Sequence, residues 1–244
     1  MKIIDINCDL GEGVENEELL MPYISSCNIA CGGHYGNTNT IDKTLEFAIK
    51  NNVKVGAHPS FPDKNNFGRE MLNISDEDLK KSITSQLELF AERLAIYNVK
   101  MHHIKAHGAL YNLIAKDVNA ATNFINSIEK FTKDTFIYVP YNSAIEKVAK
   151  ERNIKVKYEA FADRNYNTDL SLVSRLNEKA VISNSTAVFN HIMHMIKAGK
   201  VMTIDNTLMK IKADTFCIHG DNLEALNILK EITQLLKAQN IQIA

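Results

Sequence analysis

Seven short runs of β character recur along the sequence, and helical patterns separate several of them. The runs are Ile3–Cys8, Asn28–Ala30, Val53–Ala57, Met101–Ala106, Thr135–Val139, Val156–Phe161 and Thr215–Ile218. Strand followed by helix, repeated in this way, points to an α/β protein with a parallel sheet, because parallel neighbours need a crossover long enough to hold a helix. Ile41, Leu45, Ala48 and Ile49 share one helical face. Leu79, Ile83, Leu87, Phe90 and Leu94 share another, opened by Ser75 and Asp78 as a capping pair. Ile145, Val148 and Ala149 mark a third helix, and Leu226, Leu229, Ile232 and Leu236 the last. Val201–Ile204 reads as an additional strand or hairpin with no assigned place. A closed barrel and an open doubly wound sheet fit this order equally well.

The polar residues break the tie. Side chains alternate between the two faces of a strand. Asp5, Asn7 and Asp9 share one face of the first run, opposite Ile4, Ile6 and Cys8. His103, Lys105 and His107 share a parity in the fourth run, as do Gly56 and His58 in the third. Glu159, Phe161 and Asp163 do so in the sixth, and Cys217, His219 and Asp221 in the seventh. Asp9, His58, His107, Asp163 and His219 therefore each close an apolar strand, where parallel α/β folds collect their reactive groups. A barrel gathers such ends around one mouth, whereas an open sheet strings them along an edge. The expectation is a barrel.

Taken alone, a histidine at a strand end is ordinarily a hydrogen-bonded structural group. His58, His107 and His219, three of the eight histidines in equivalent positions, favour chemistry over that reading. Lys105, inside an apolar strand, either pairs with an acidic group of a substrate or acts as a base through a lowered pKa. Asp221 either joins the mouth or, with Glu224, caps the last helix.

Other classes are excluded or set aside. With 28 basic and 29 acidic residues the net charge is −1, which gives no footprint for nucleic acid or an anionic membrane. No apolar run approaches the ~20 residues of a membrane span. Asp5 falls where a secretion signal needs its apolar stretch, and four cysteines are too few for a disulfide scaffold, so the expectation is a cytoplasmic protein. Cys8, Cys27 and Cys31 read as small buried side chains rather than zinc ligands. With no linker in the chain, one domain is expected over residues 1–244. No Gly-x4-Gly-Lys-Ser/Thr or Gly-x-Gly-x-x-Gly phosphate motif occurs, and Gly11-Glu12-Gly13 and Gly32-Gly33 are weak substitutes.

Seven blocks in order carry a resemblance to a known family. They are Asp5–Glu12, Ser26–His34, Gly56–Asp63, Phe67–Arg69, Lys105–Asn112, Phe161–Arg164 and Ala213–Asp221. Together they resemble the LamB/YcsF family, whose characterised role is that of the A subunit of 5-oxoprolinase. The resemblance implies an irregular seven-stranded (β/α) TIM-like barrel of the glycoside hydrolase and deacetylase type. It implies ATP-dependent opening of the lactam of 5-oxoproline to L-glutamate, in company with partner subunits B and C. ATP, with Mg2+, is then expected to be held with or by those partners; a divalent metal in this chain, and self-association, stay open.

Under that reading Asp9, His58 and Asp163 include the base, and Lys105 and His107 hold developing negative charge. Arg69 or Arg164 grips the substrate carboxylate. His34 and His219 serve as proton donors or metal ligands, and Asn7, Glu12, Asn28 and Tyr111 join the substrate-binding set. The chain departs from the family pattern at Gly33, Asn37, Leu170 and Ser174. Two alternatives accompany the main reading. One is a metal-dependent deacetylase using Asp9, His34 and His58; its usual His-x3-His pair is lacking, and His191 and His194 lie on an expected surface helix. The other is a non-catalytic lactam-binding component.

Overall fold

The computed structural model describes residues 2–222 and 224–244. In chain order the elements are β1 (Lys2–Leu10), α1 (Glu17–Leu20), β2 (Ser26–Ala30), α2 (Thr38–Lys50), β3 (Lys54–His58) and α3 (Asp76–Ile96). There follow β4 (His103–Ile104), α4 (Gly108–Lys116), α5 (Val118–Ile128), β5 (Phe136–Pro140), α6 (Ala144–Glu151) and β6 (Val156–Phe161). The last are α7 (Ser185–Ala198), β7 (Lys200–Met202), β8 (Leu208–Lys210), β9 (Thr215–His219), α8 (Ala225–Ala238) and β10 (Ile241–Ile243).

Strands β1, β2, β3, β4, β5, β6 and β9 form a parallel barrel that closes where β9 pairs with both β6 and β1. The open-sheet alternative is thereby eliminated. β10 lies outside the ring, alongside Lys2–Ile4 of β1. Val201–Ile204 resolves into the antiparallel hairpin β7–β8. The ladder of β4 is confined to His103 and Ile104, but the chain stays tied beyond it, with Lys105 N donating to Ala57 O at 3.0 Å and His107 N to Pro59 O at 2.8 Å.

The helices start where short polar side chains satisfy their free amides. Ser75 Oγ accepts from Asp78 N, and Asp117, Ser143 and Asn184 do the same for α5, α6 and α7. Asn37, one of the departures from the family pattern, makes a full capping box with Thr40. At Gly33, another departure, an added Cβ would lie 2.3 Å from Ser60 Oγ and 2.5 Å from Gln86 Oε1, so the loop packs on bare backbone. The apolar stripes of α2, α3, α6 and α8 cover the barrel as the periodicity predicts, except that Ile49 is exposed. His191 and His194 correct another expectation: α7 packs with its Val188, Ile192 and Met195 buried, and the Nε2 atoms of both histidines are enclosed.

Inside, the barrel is polar, unlike the layers of branched aliphatics that usually fill such folds. Asp5 Oδ1 accepts from Ser26 Oγ at 3.0 Å and Thr215 Oγ1 at 2.6 Å. One layer up, Asn7 Nδ2 donates to Thr215 Oγ1, and Asn28 Nδ2 donates to both Asn7 Oδ1 and Asp9 Oδ1. Asn28 Oδ1 accepts from His103 Nε2 at 2.6 Å, which leaves His103 Nδ1 to accept from His102 Nδ1 at 3.0 Å. The His103 ring fits because Gly56 has no side chain; a Cβ there would sit 2.3 Å from the imidazole. Gly56→Ala is expected to cost about 1–3 kcal/mol or more through this overlap, read as a lowered urea midpoint.

The buried imidazoles also set the response to acid. Burial, with His102 and Lys105 nearby, drives the pKa of His103 well below its ordinary value. Burial lowers His102 and His191 to about 4. These groups bind protons in the unfolded chain before they do in the folded one. Their contribution is therefore complete above the unfolded value of ~6.5 and is lost as pH falls through the window toward 4. The raised Glu12 carboxyl acts in the opposite sense, one group against these three imidazoles and the likewise lowered His34 and His107. The urea midpoint is expected to be clearly lower at pH 5 than at pH 7.5.

Candidate active site at the barrel mouth

The carboxyl ends of the strands open onto a cavity of about 680 Å3. Asp9 arrives on β1, His58 on β3, Lys105 and His107 just past β4, Phe161 on β6 and His219 on β9. Glu12, Arg69, Tyr111 and Arg164 complete the predicted residues on its wall. His34 and Asp163 stand directly behind it, bonded to wall residues Glu12 and His219. Asn7 and Asn28 sit a layer below, enclosed, with their amide hydrogens committed inside the barrel.

Lys105 forms the floor. Its ammonium is 2.8 Å from Asp9 Oδ1, 2.9 Å from Glu159 Oε1 and 3.2 Å from Cys217 Sγ. Burial alone would lower its pKa, but Asp9, Cys217 and Glu159 outweigh that and hold it well above the ordinary lysine value. The reading of Lys105 as a base is corrected accordingly: it is a locked cation. Burial would likewise raise Asp9, yet His58 and Lys105 pull its carboxyl well below the usual range. Asp9 is thus a fixed anion and a weak base.

On the far side, Asp163 Oδ2 accepts from the backbone N of His219 at 3.0 Å, and Oδ1 lies 3.0 Å from His219 Nδ1. Burial pushes the Asp163 carboxyl up, but His219 outweighs it and keeps the group ionised. The carboxylate holds the hydrogen on Nδ1 and leaves Nε2 as an acceptor. Asp9, Cys217 and His219 present polar atoms within 4.8 Å of one another, so this imidazole stands next to the Lys105 floor.

The two candidate arginines differ. Arg164 is spent on structure, donating to Ala180 O at 3.2 Å and Val173 O at 2.6 Å. Arg69 is partly exposed and pairs with Asp221, which Arg175 also approaches at 4.0 Å. Asp221 therefore belongs to the mouth and not to the helix cap, since α8 begins at Ala225 with Glu224 at its N-cap position and no side-chain cap bond.

The fourth feature is a histidine-rich wall. His34 Nε2 is 2.9 Å from Glu12 Oε1, and the His34 and His107 rings stack at 3.7 Å. Glu12, His34, His58 and His107 bring ligating atoms within 4.8 Å of one another. This differs from the deacetylase-type set of Asp9, His34 and His58, because Asp9 Oδ1 is held by Lys105 and Asn28. Burial lowers His34 to about 2, and burial with His34 and His58 nearby lowers His107 well below its ordinary value. Both are neutral at physiological pH. Burial, with Asp9 and Asp221 nearby, raises Glu12.

Glu159, Cys217 and Arg175 were not among the predicted site residues. The parity of Glu159 with Asp163 and of Cys217 with His219 marks both as inward-facing, so the signal was present. Arg175 lies on a loop whose course no local pattern discloses.

A sequence model of the LamB/YcsF family matches residues 4–244. A protein of Campylobacter jejuni subsp. doylei, named as the A subunit of 5-oxoprolinase, is 39% identical over 245 residues, 98% of this chain and 96% of its own. One of the same name from Pyrococcus abyssi is 36% identical over the same shares of both chains. The crystal structure of a lactam utilization protein from Thermus thermophilus superposes with a TM-score of 0.90 at 29% identity, covering 100% of this chain and 99% of that one. A glycoside hydrolase family 18 chitinase from Pseudoalteromonas aurantia shares the barrel alone, with a TM-score of 0.52 at 10% identity over 96% of this chain and 99% of that one. Among the described residues no helix is long and apolar enough to cross a membrane. The match runs through every strand that supplies the mouth, and the chain belongs to the LamB/YcsF family.

Proposed function

We propose that this chain is the A subunit of an ATP-dependent 5-oxoprolinase, the component that binds 5-oxoproline and opens its lactam to give L-glutamate. The observation that carries the reading is the pairing of the Asp163-oriented His219 with the locked Lys105 cation at the floor of one cavity. The full-length likeness to proteins named for that component supports it.

A five-membered lactam is an unreactive amide. Phosphoryl transfer from ATP to the amide oxygen turns the ring carbon into an electrophile. Water then attacks that carbon, and His219 Nε2 takes its proton. Charge gathering on the former carbonyl side is opposed by Lys105, whose three hydrogens are already engaged, so it acts through its field. As the C–N bond breaks, the proton on His219 passes to the departing nitrogen and leaves γ-glutamyl phosphate, whose acyl-phosphate bond a second water cleaves to release L-glutamate and inorganic phosphate. Asp163 fixes the tautomer throughout, in the manner of the carboxylate of a hydrolytic triad. Arg69, released from Asp221, offers a planar donor pair to the substrate carboxylate. Asn28 and Asp9 position Lys105.

ATP, with Mg2+, is assigned to the assembly with subunits B and C, since this chain has no phosphate-loop motif. The free cysteines, all buried, suit the cytoplasm. The test is coexpression with candidate B and C subunits. Glutamate release from 5-oxoproline is expected only when ATP and all three chains are present; release that persists without this chain would refute the proposal.

A further inference from the structure

Two backbone carbonyls settle how the central imidazoles carry their hydrogens. His58 Nδ1 lies 2.8 Å from Lys105 O, and His107 Nε2 lies 2.9 Å from Phe67 O. A carbonyl oxygen only accepts, so both of these nitrogens are donors. In neutral rings the remaining nitrogens, His58 Nε2 and His107 Nδ1, hold lone pairs, and they face each other at 2.9 Å. Carboxylate oxygens add to the crowd: Glu12 Oε1 is 3.5 Å from His107 Nδ1, and Asp9 Oδ2 is 3.5 Å from His58 Nε2. A proton on His58 Nε2 relieves this contact, donating to His107 Nδ1 and facing Asp9 as part of an imidazolium. A divalent ion in its place takes up both lone pairs and the Glu12 oxygen together.

His34 supplies a second observation. Its ring stacks on His107, its Nε2 meets Glu12, and its Nδ1 is buried with no hydrogen-bond partner among the described residues. Whichever nitrogen carries the hydrogen, Nδ1 is left unsatisfied, as a bare acceptor or a bare donor.

We propose that Glu12, His34, His58 and His107 bind one divalent transition-metal ion at the edge of the cavity. Three imidazoles and a carboxylate, all buried, form a nitrogen-rich donor set suited to Zn2+, Mn2+, Fe2+ or Co2+. With metal–nitrogen bonds of ~2.0–2.1 Å, the 2.9 Å separation of His58 Nε2 and His107 Nδ1 subtends roughly 90° at the ion. That angle belongs to five- or six-coordinate ions with places left for water or a substrate oxygen, and not to a closed tetrahedral zinc. The carbonyls of Lys105 and Phe67 play the orienting part that metal-bound histidines require. The four ligands come from four separate segments, so no short spacing in the sequence announces them.

The site stands on coordination geometry, independently of the lactam reading, and its test is binding. The chain is stripped with chelator and titrated with Mn2+, Co2+ and Zn2+ by calorimetry, with visible absorption followed for Co2+. One equivalent is expected, with a rise in melting temperature and Co2+ bands of five- or six-coordinate intensity. His58→Asn combined with His107→Asn is expected to weaken binding at least about 100-fold, while His191→Asn leaves it intact. Should the double variant not fold, Glu12→Gln serves instead, with a loss of about 10- to 100-fold. Absence of saturable one-to-one binding by the wild-type chain, or equal affinity in the site variants, would overturn the proposal.

Discussion

Asp163→Asn is expected to lower glutamate release by the assembled enzyme about 10,000-fold while the chain still folds. The reason lies in the two bonds that Asp163 accepts from one residue. Its Oδ2 takes the backbone N–H of His219, and its Oδ1 faces His219 Nδ1. An asparagine has one oxygen to give, and the backbone N–H, which can only donate, claims it. The amide NH2 is then turned toward Nδ1, which must become the acceptor. The imidazole proton moves to Nε2, where the attacking water needs a lone pair. The substitution keeps size and packing, so a loss of this order with an unchanged melting curve isolates the tautomer. A loss of less than about 10-fold would show that His219 is not the base.

Lys105→Met is expected to abolish turnover, a loss of about 100- to 1,000-fold or more. It is also expected to cost stability, because Asp9 and Glu159 are left as buried anions without their cation, and breaking a buried pair costs about 3–5 kcal/mol. The two effects are separable. Lys105→Met with Glu159→Gln removes one of the stranded charges and is expected to recover part of the stability and none of the activity. Thermal melts and glutamate release on the same preparations check this, with assembly confirmed by size-exclusion chromatography. Near-normal turnover in either variant removes Lys105 from the mechanism.

How much of this is legible in the sequence depends on the kind of signal. The seven barrel strands show because each is a short apolar run, and the inward faces show because polar residues recur at every second position. That alternation sets the direction of Asp5, Asn7 and Asp9, and the structure puts all three inside the ring. Closure is an inference from economy, supported by the resemblance, and the β9–β1 pairing supplies it. Parity says which way a side chain faces and nothing about its height. Asn7 and Asn28 accordingly group with the substrate contacts in the sequence, although they lie beneath the floor. Which partner a charged group chooses is likewise a matter of three dimensions. Arg69 and Arg164 are equal candidates in the sequence, and only the fold shows Arg164 bonded to Ala180 and Val173. The sign of the Lys105 shift needs the distances to Asp9, Glu159 and Cys217, none of which is near it in sequence. The histidine cluster is equally hidden, since Glu12, His34, His58 and His107 meet only when the barrel closes.

A crystal structure of the chain with 5-oxoproline bound addresses the central claim most directly. The account predicts the lactam in the cavity over Lys105, its ring carbonyl toward the ammonium, one face open to His219 Nε2 and its carboxylate on Arg69. A lactam seated elsewhere on the chain at saturating concentration, with that cavity holding only water, would contradict it.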